Sequence, residues 1–261
     1  MISIITITYN DFEGLKRTLA SIPDYDFVES VVINGGSDKA TIDFLSSHKG
    51  KVINEKDEGI ADAFNKGVKN STGDAIMFLN SGDELLEPSY LEEAYNIFSD
   101  EPDIDFVHSN QIFVDSLGVE LFMRPPLCNL GRGMPYIHLT MIVRKKVFDQ
   151  IGVFNTNYRI AMDFDFVVRL TQNGYKGRYL SDKAVIKMDG TGISVKQEWN
   201  QIKECYRSMK QNDFLSAANL FWFIIRVNLF AIRKIMLKVG FSDLLRALKE
   251  KKHSQHRTTG T

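Results

Sequence analysis

The 261-residue chain has few cysteines and almost no net charge: two Cys, and a formal charge of -1 from 32 basic and 33 acidic residues. Cys128 and Cys205 lie far apart without metal-ligand spacing, which argues against a disulfide framework or a zinc site and for a reducing compartment. Without a basic excess, no nucleic-acid partner is expected. The opening MISIITITYN has neither the basic region nor the small-residue cleavage site of a signal peptide. It reads as a first buried strand, so a cytoplasmic location is expected. After that strand comes Thr8-Tyr9-Asn10-Asp11-Phe12 and no Gly-x-Gly-x-x-Gly turn, which sets aside a dinucleotide-dependent oxidoreductase. What remains, 44% hydrophobic and 25% charged, is the composition of a soluble globular protein.

Apolar runs at residues 2–8, 31–34, 52–54, 75–79 and 106–108 recur with helical segments between them. That alternation predicts βαβ units: an α/β, Rossmann-like fold with a mainly parallel sheet and helices on both faces. The texture changes after Asn110. Residues 111–123 carry a Ser116-Leu117-Gly118 turn between two strand-like runs, and residues 124–135 are rich in Gly and Pro. The organisation read from these shifts is a first half at 1–110, a second half of the same domain at 111–195, helices at 196–250 and a frayed tail at 251–261.

Residues 198–211 read as a polar helix, and 217–239 as an apolar one broken by Asn219, Arg226, Asn228, Arg233 and Lys234. Asn219, Arg226 and Arg233 recur at heptad spacing and share one stripe. The uninterrupted apolar stretches are too short to span a bilayer. A helix lying in a membrane interface fits the basic stripe and the aromatic residues Phe221, Trp222, Phe223 and Phe230. The same pattern also suits a core helix or the interface of a homodimer.

Candidate chemistry gathers where strands end, because ligands of open α/β sheets bind beyond the carboxyl ends of the strands. Thr8-Tyr9-Asn10 ends the first strand, and Asn34-Gly35-Gly36-Ser37-Asp38 is a glycine-rich turn after the second. Asn80-Ser81-Gly82-Asp83 follows the apolar run 75–79, where a carboxylate among small residues suits a hard cation; a plain turn with Asp83 as a surface cap is the other reading. Lys56, Asp57 and Glu58 precede a helix whose Asp62, Asn65 and Lys66 share a polar side. Asp62 and Lys66 are equally well spaced to pair with each other.

In this order the motifs resemble glycosyltransferase family two. SIITITYN resembles its opening strand, VVINGGSDKAT its nucleotide turn, and KDEGIADAFNKGVKNSTGDAIMFLNSGD its most specific block. IHLTMIVRKKVFDQIGVFN followed by YRIAMDFDFVVRL resembles its acceptor block. The resemblance covers residues 1 to about 195. It implies a GT-A fold and a hexosyltransferase-like, metal-dependent, inverting transfer from a nucleotide-diphosphate sugar, with a UDP-sugar favoured. The acceptor it implies is a saccharide or polyprenyl-linked saccharide, in bacterial exopolysaccharide, capsule or O-antigen assembly at the cytoplasmic face of the inner membrane. Asp163 is the implied base, and Asp83 the ligand of Mn2+ or Mg2+. Donor contacts are expected from Thr8, Tyr9, Asn10, Asn34, Asp57, Asp62, Asn65, Lys66, Asn80, Ser81 and Gly82. His138 and Asp165 are candidates for acceptor or phosphate, Asp165 being the more structural of the two, and the 189–194 turn for a lid.

Two departures stand out. Asn34 occupies the place of an Asp that accepts a hydrogen bond from the base, and Asn80-Ser81-Gly82-Asp83 replaces an Asp-x-Asp motif, so any cation must lean on the donor's diphosphate. The lost carboxylate motivates the alternative of a degenerate transferase, binding nucleotide or glycan as a partner in an assembly complex.

Overall fold

A computed structural model describes residues 1–36, 38–115, 118–190 and 197–240. Strands β1 (Ile2–Thr8), β2 (Val28–Asn34), β3 (Lys51–Asn54) and β4 (Ala75–Phe78) alternate with helices α1 (Phe12–Ser21), α2 (Lys39–Leu45) and α3 (Ile60–Asn70). All four strands are parallel, β1 pairing with both β2 and β4. The β-branched run of β1 suits a strand covered on both faces. Ile4 joins Tyr90, Leu91 and Leu139 on one side, and Ile5 joins Phe64 and Val68 of α3 on the other. Gly67 lets α3 come close, since a Cβ there would stand 2.3 Å from Ile5 Cγ2.

Beyond β4 the sheet becomes mixed. The chain continues through β5 (Glu84–Leu85), α4 (Ser89–Asp100), β6 (Phe106–Val114), β7 (Glu120–Met123), a 3-10 turn (His138–Thr140), β8 (Ile142–Arg144), α5 (Lys145–Ile151), α6 (Met162–Gln172) and β9 (Gly177–Asp189). The strand order is β3-β2-β1-β4-β8-β6-β9-β5, with β7 paired to β6. β8 runs antiparallel to both β4 and β6, whereas β6 and β9 are parallel. The β6–β7 pair is the hairpin expected across residues 111–123; its Ser116 and Leu117 lie outside the described residues.

Two helices close the described chain, α7 (Glu198–Gln211) and α8 (Ala217–Lys238), as the periodicity predicts. Among the described residues no helix is long and apolar enough to cross a membrane. The orientation of α8 corrects one expectation. Its stripe of Asn219, Arg226 and Arg233 faces the protein: Asn219 is buried and donates to Phe214 O at 2.7 Å, and Arg233 pairs with Glu198 of α7. Of the four aromatic residues, Trp222 lies under Arg132, Phe223 packs on the core and Phe230 stacks on Trp199. Leu220, Phe221, Ile224, Ile232 and Ile235 point outward, 42% to 62% exposed. Arg226 and Arg233 lie on the inner side, Arg233 held by the Glu198 carboxylate of α7, while Lys234 and Lys238 stay exposed.

Candidate active site

At the nucleotide end, the strand ends are stitched by backbone. Gly35 N donates to Thr8 O at 3.1 Å, and Asp38 N to Asn10 Oδ1 at 3.2 Å. Asn10 adopts φ 51°, the left-handed region that a short amide tolerates. Side chains would not fit beside it: a Cβ at Gly36 would lie 2.4 Å from Asn10 Oδ1, and one at Gly35 1.8 Å from Asp57 Oδ2. Thr8, Asn10, Asp57 and the glycine turn therefore form one surface. The Tyr9 ring stands at its rim, 69% exposed, as a flat face on which a base can stack.

Other candidates are engaged within the protein. Asn34 is buried, donating to Asn54 Oδ1 at 2.9 Å and accepting from Gly36 N at 3.1 Å, so it shapes the turn. Asp62 accepts from Glu58 N at 3.0 Å and pairs with Lys66 at 3.2 Å, and Lys66 also holds Glu55 at 2.9 Å. The Asn65 amide donates to Phe154 O at 2.8 Å and accepts from Phe154 N at 2.9 Å, tying α3 to the segment before α6.

The small-residue turn is knotted to α1. Thr18 Oγ1 lies 3.1 Å from Asn80 O, 2.7 Å from Asp83 O and 3.0 Å from Gly82 N. Asp11 caps α1 through Gly14 N at 3.1 Å and accepts from Ser81 Oγ at 2.7 Å. Gly82 sits at φ 96°, where a side chain would be strained. Asn80 Oδ1 is buried without a hydrogen-bond partner. Asp83 is 4% exposed and accepts from Asp189 N at 3.1 Å. Burial, with Asp189 nearby, pushes its carboxyl up to about 7.

Across β4 lies the other end of the site. The His138 ring stacks on Phe78 at 5.5 Å between centroids, two residues before Asn80, and touches Phe64 and Phe154 at 5.9 and 5.8 Å. Burial lowers its pKa and the Asp163 charge opposes that; burial raises Asp163 and His138 opposes it in turn. Asp163 is in the first turn of α6, its Oδ1 accepting from Phe164 N at 2.7 Å. The start of α6 is pinned from α7, since the Glu204 carboxylate accepts from the N–H groups of Arg159, Ile160 and Ala161 at 3.2, 2.9 and 2.9 Å. Asp165 points the other way, to Arg169 at 3.1 Å, Ser208 at 2.8 Å and Asn212 at 3.0 Å. Its carboxylate holds α6 to α7.

The strand ends thus carry a glycine-rich turn on one side of β4 and the half-buried Asp163 and His138 on the other. The sequence profile of glycosyl transferase family 2 matches residues 3–161, more than half of the chain. The chain belongs to this family. A PGL/p-HBAD biosynthesis glycosyltransferase of Mycobacterium bovis is 29% identical over 182 residues, covering 66% of this chain and 70% of that relative. An uncharacterized glycosyltransferase of Mycobacterium tuberculosis is 27% identical over 179 residues, covering 64% and 68%. Among solved structures, S. aureus TarS 1-349 in complex with UDP-GlcNAc superposes with a TM-score of 0.64 at 20% identity, over 86% of this chain and 72% of that 1-349 chain. The mannosyltransferase PcManGT from Pyrobaculum calidifontis, in complex with GDP-Man and Mn2+, gives 0.60 at 17% identity, over 99% and 82%. At these identities the likeness is one of fold, a GT-A α/β fold.

In this glycosyltransferase the turn does not fit a resident cation. The half-buried positions 80–82 carry no carboxylate, and Asp83 is buried and bonded inward. The carboxylates that frame the turn belong to Asp11 and Asp189, with oxygens 3.9 and 4.0 Å from where a Cβ of Gly82 would stand. Among the described residues no group of three or more His, Cys, Asp or Glu is arranged to hold a metal. Sequence reasoning assigned no site role to Asp11, Thr18 or Glu204, and reached Asp189 only as the first residue of the candidate lid turn. Asp11 carries a signal, an Asx just before a helix; Glu204, 41 positions after Asp163, carries none. Of the 189–194 turn, residues 191–194 lie outside the described residues. A cavity of about 630 Å³, lined by Glu29, His48 and Thr72 among others, includes none of the candidate residues.

Proposed function

We propose that this glycosyltransferase moves a sugar, with inversion, from a nucleoside-diphosphate donor to a hydroxyl of a saccharide or polyprenyl-linked saccharide. The observation that carries the reading is Asp163, beside His138 and one aromatic contact away from the turn that follows β4. The acceptor oxygen gives its proton to the Asp163 carboxylate as it bonds to the anomeric carbon. The bond from that carbon to the diphosphate breaks on the opposite face, and the nucleoside diphosphate leaves with the electron pair. A base raised by burial binds the proton more tightly at the moment of transfer. His138, kept neutral by its surroundings, offers a ring nitrogen to the acceptor or to a phosphate.

Thr8, Tyr9, Asn10, Asp57 and the 81–82 turn would hold the donor. TarS in complex with UDP-GlcNAc and PcManGT in complex with GDP-Man support a nucleotide sugar, and a UDP-sugar is favoured here. Mn2+ or Mg2+ belongs to this reading only as a companion of the diphosphate, since the protein offers it few ligands. A lipid surface is the proposed neighbour of α8: its outward face is apolar, and its exposed Lys234 and Lys238 add positive charge where residues 217–239 hold no acid. Vesicle flotation checks this with Phe221→Glu/Ile232→Glu. The variant is expected to lose binding to anionic vesicles, and equal binding by both proteins would end the idea.

A thermal-shift screen of nucleotide sugars, with and without Mn2+, tests the donor reading before any acceptor is known. One sugar nucleotide should raise Tm in a saturable way, with Mn2+ acting only in its presence. If no nucleotide sugar stabilises the protein, the transferase reading fails.

A further inference from the structure

The inward stripe of α8 does not merely pack. Between α7, α8 and the 129–133 turn lies a cavity of about 340 Å³, within the size range of small-ligand sites, whose lining includes Arg132, Arg226, Arg233, Glu198 and Trp222. Three guanidinium groups meet one carboxylate there. Glu198 is taken by Arg233. Arg132 stands 4.5 Å above the Trp222 ring, and Arg226 Nη1 is buried with no hydrogen-bond partner. An unpaired buried guanidinium N–H is costly, so its presence asks for an acceptor that arrives from outside.

The backbone makes room for that acceptor. Gly131 lies so close to α8 that a Cβ would meet Asn219 O at 2.1 Å, and Gly133, at φ 145°, leaves open the space in front of Arg226. Planar forked donors match phosphate oxygens. Ile225, Leu229 and Phe230 complete the lining with hydrocarbon. α7 lines this cavity with Glu198 and Ile202 and, two residues further on, holds the start of α6 through Glu204, so one helix joins the cavity to the segment that carries Asp163.

We propose that this arginine-lined cavity binds a phosphate or diphosphate group of the acceptor, holding it on the Asp163 side of the site. The inference deepens the transferase reading and rests on it for the identity of the acceptor. Anion and hydrocarbon recognised side by side describe a lipid phosphate; a free phosphate shares the first half of that chemistry.

Trp222 reports directly on the cavity once the other tryptophan is removed by Trp199→Phe. Fluorescence of that variant is followed while inorganic pyrophosphate, farnesyl diphosphate or UDP is added. A saturable change with pyrophosphate is expected, weakened about tenfold or more by Arg226→Met and by Arg132→Gln, the second at an exposed residue that leaves folding alone. Farnesyl diphosphate acting at lower concentration than pyrophosphate assigns the site to a lipid phosphate, and equal action assigns it to a free one. No saturable change, a change untouched by both variants, or one abolished by saturating UDP overturns the proposal. A UDP-sugar thermal shift retained in Arg226→Met would leave the transferase reading standing; its absence in the unaltered protein would remove that reading itself.

Discussion

The two ends of the site are built from different materials. At the nucleotide end, short side chains and backbone groups form a rigid rim: Gly35 on Thr8, Asp38 on Asn10, and Thr18 on three groups of the 80–83 turn. At the acceptor end, ionisable side chains are crowded into aromatic surroundings and held by longer reaches, with Glu204 on the start of α6 and His138 against Phe78. Binding a charged, polar donor calls for shape with little titration, whereas moving a proton calls for groups whose pKa values are displaced. The difference predicts that damage at the acceptor end will appear in turnover and pH profile, and damage at the donor end in affinity.

The largest test is Asp163→Asn. Turnover should fall by about 10²- to 10⁴-fold with the donor thermal shift intact. Near-normal turnover would break the comparison at its centre.

Next comes Glu204→Gln, in which an amide oxygen can still accept one or two of the N–H groups of residues 159–161 but carries no charge. A stability loss of about 1–3 kcal/mol is expected in denaturant titration. Because the Glu204 charge helps to raise Asp163, its removal should also move the acid limb of the rate profile to lower pH. A limb that stays in place would make Glu204 a cap and nothing more.

Asp83 separates the ends by stability. Its folded pKa, up to about 7, lies above that of the unfolded chain, so the native state holds the extra proton between roughly pH 4 and 7. Its contribution to stability is therefore full below the unfolded value and is lost as pH rises through 7. Asp83→Asn should flatten this part of the stability–pH curve, by on the order of 1–3 kcal/mol between pH 5 and 8. Asp163 contributes with the same sign and His138 with the opposite one, so the comparison is between variant and unaltered protein at each pH.

Tyr9→Ala should be the mildest. An exposed ring adds little to folding, and its loss is expected to weaken donor binding by about five- to tenfold at unchanged Tm, read by calorimetry.

Much of the fold was legible because its signals are local. Continuous apolar runs gave the parallel strands, and periodicity gave residues 198–211 and 217–239 their helices. The mixed half was not legible: β8 has three residues, and its place between β4 and β6 is decided by pairing partners far along the chain. Heptad spacing put Asn219, Arg226 and Arg233 on one stripe but could not say which way it faces, since Glu198 and the 129–133 turn are distant in sequence. The same limit governs the site. Asn34, Asp62, Asn65 and Lys66 have donor-like chemistry, yet each already has partners inside the protein.

Asn65 shows what such a partner can do. A carboxamide holds one donor and one acceptor a fixed distance apart, and here both meet the main chain of the same residue, Phe154. It works as a gauge between α3 and the loop that leads into α6, so the spacing of those two segments is set by a single planar group. An aspartate could copy only half of that measurement, and a proline at position 154 would remove that half by taking away the N–H.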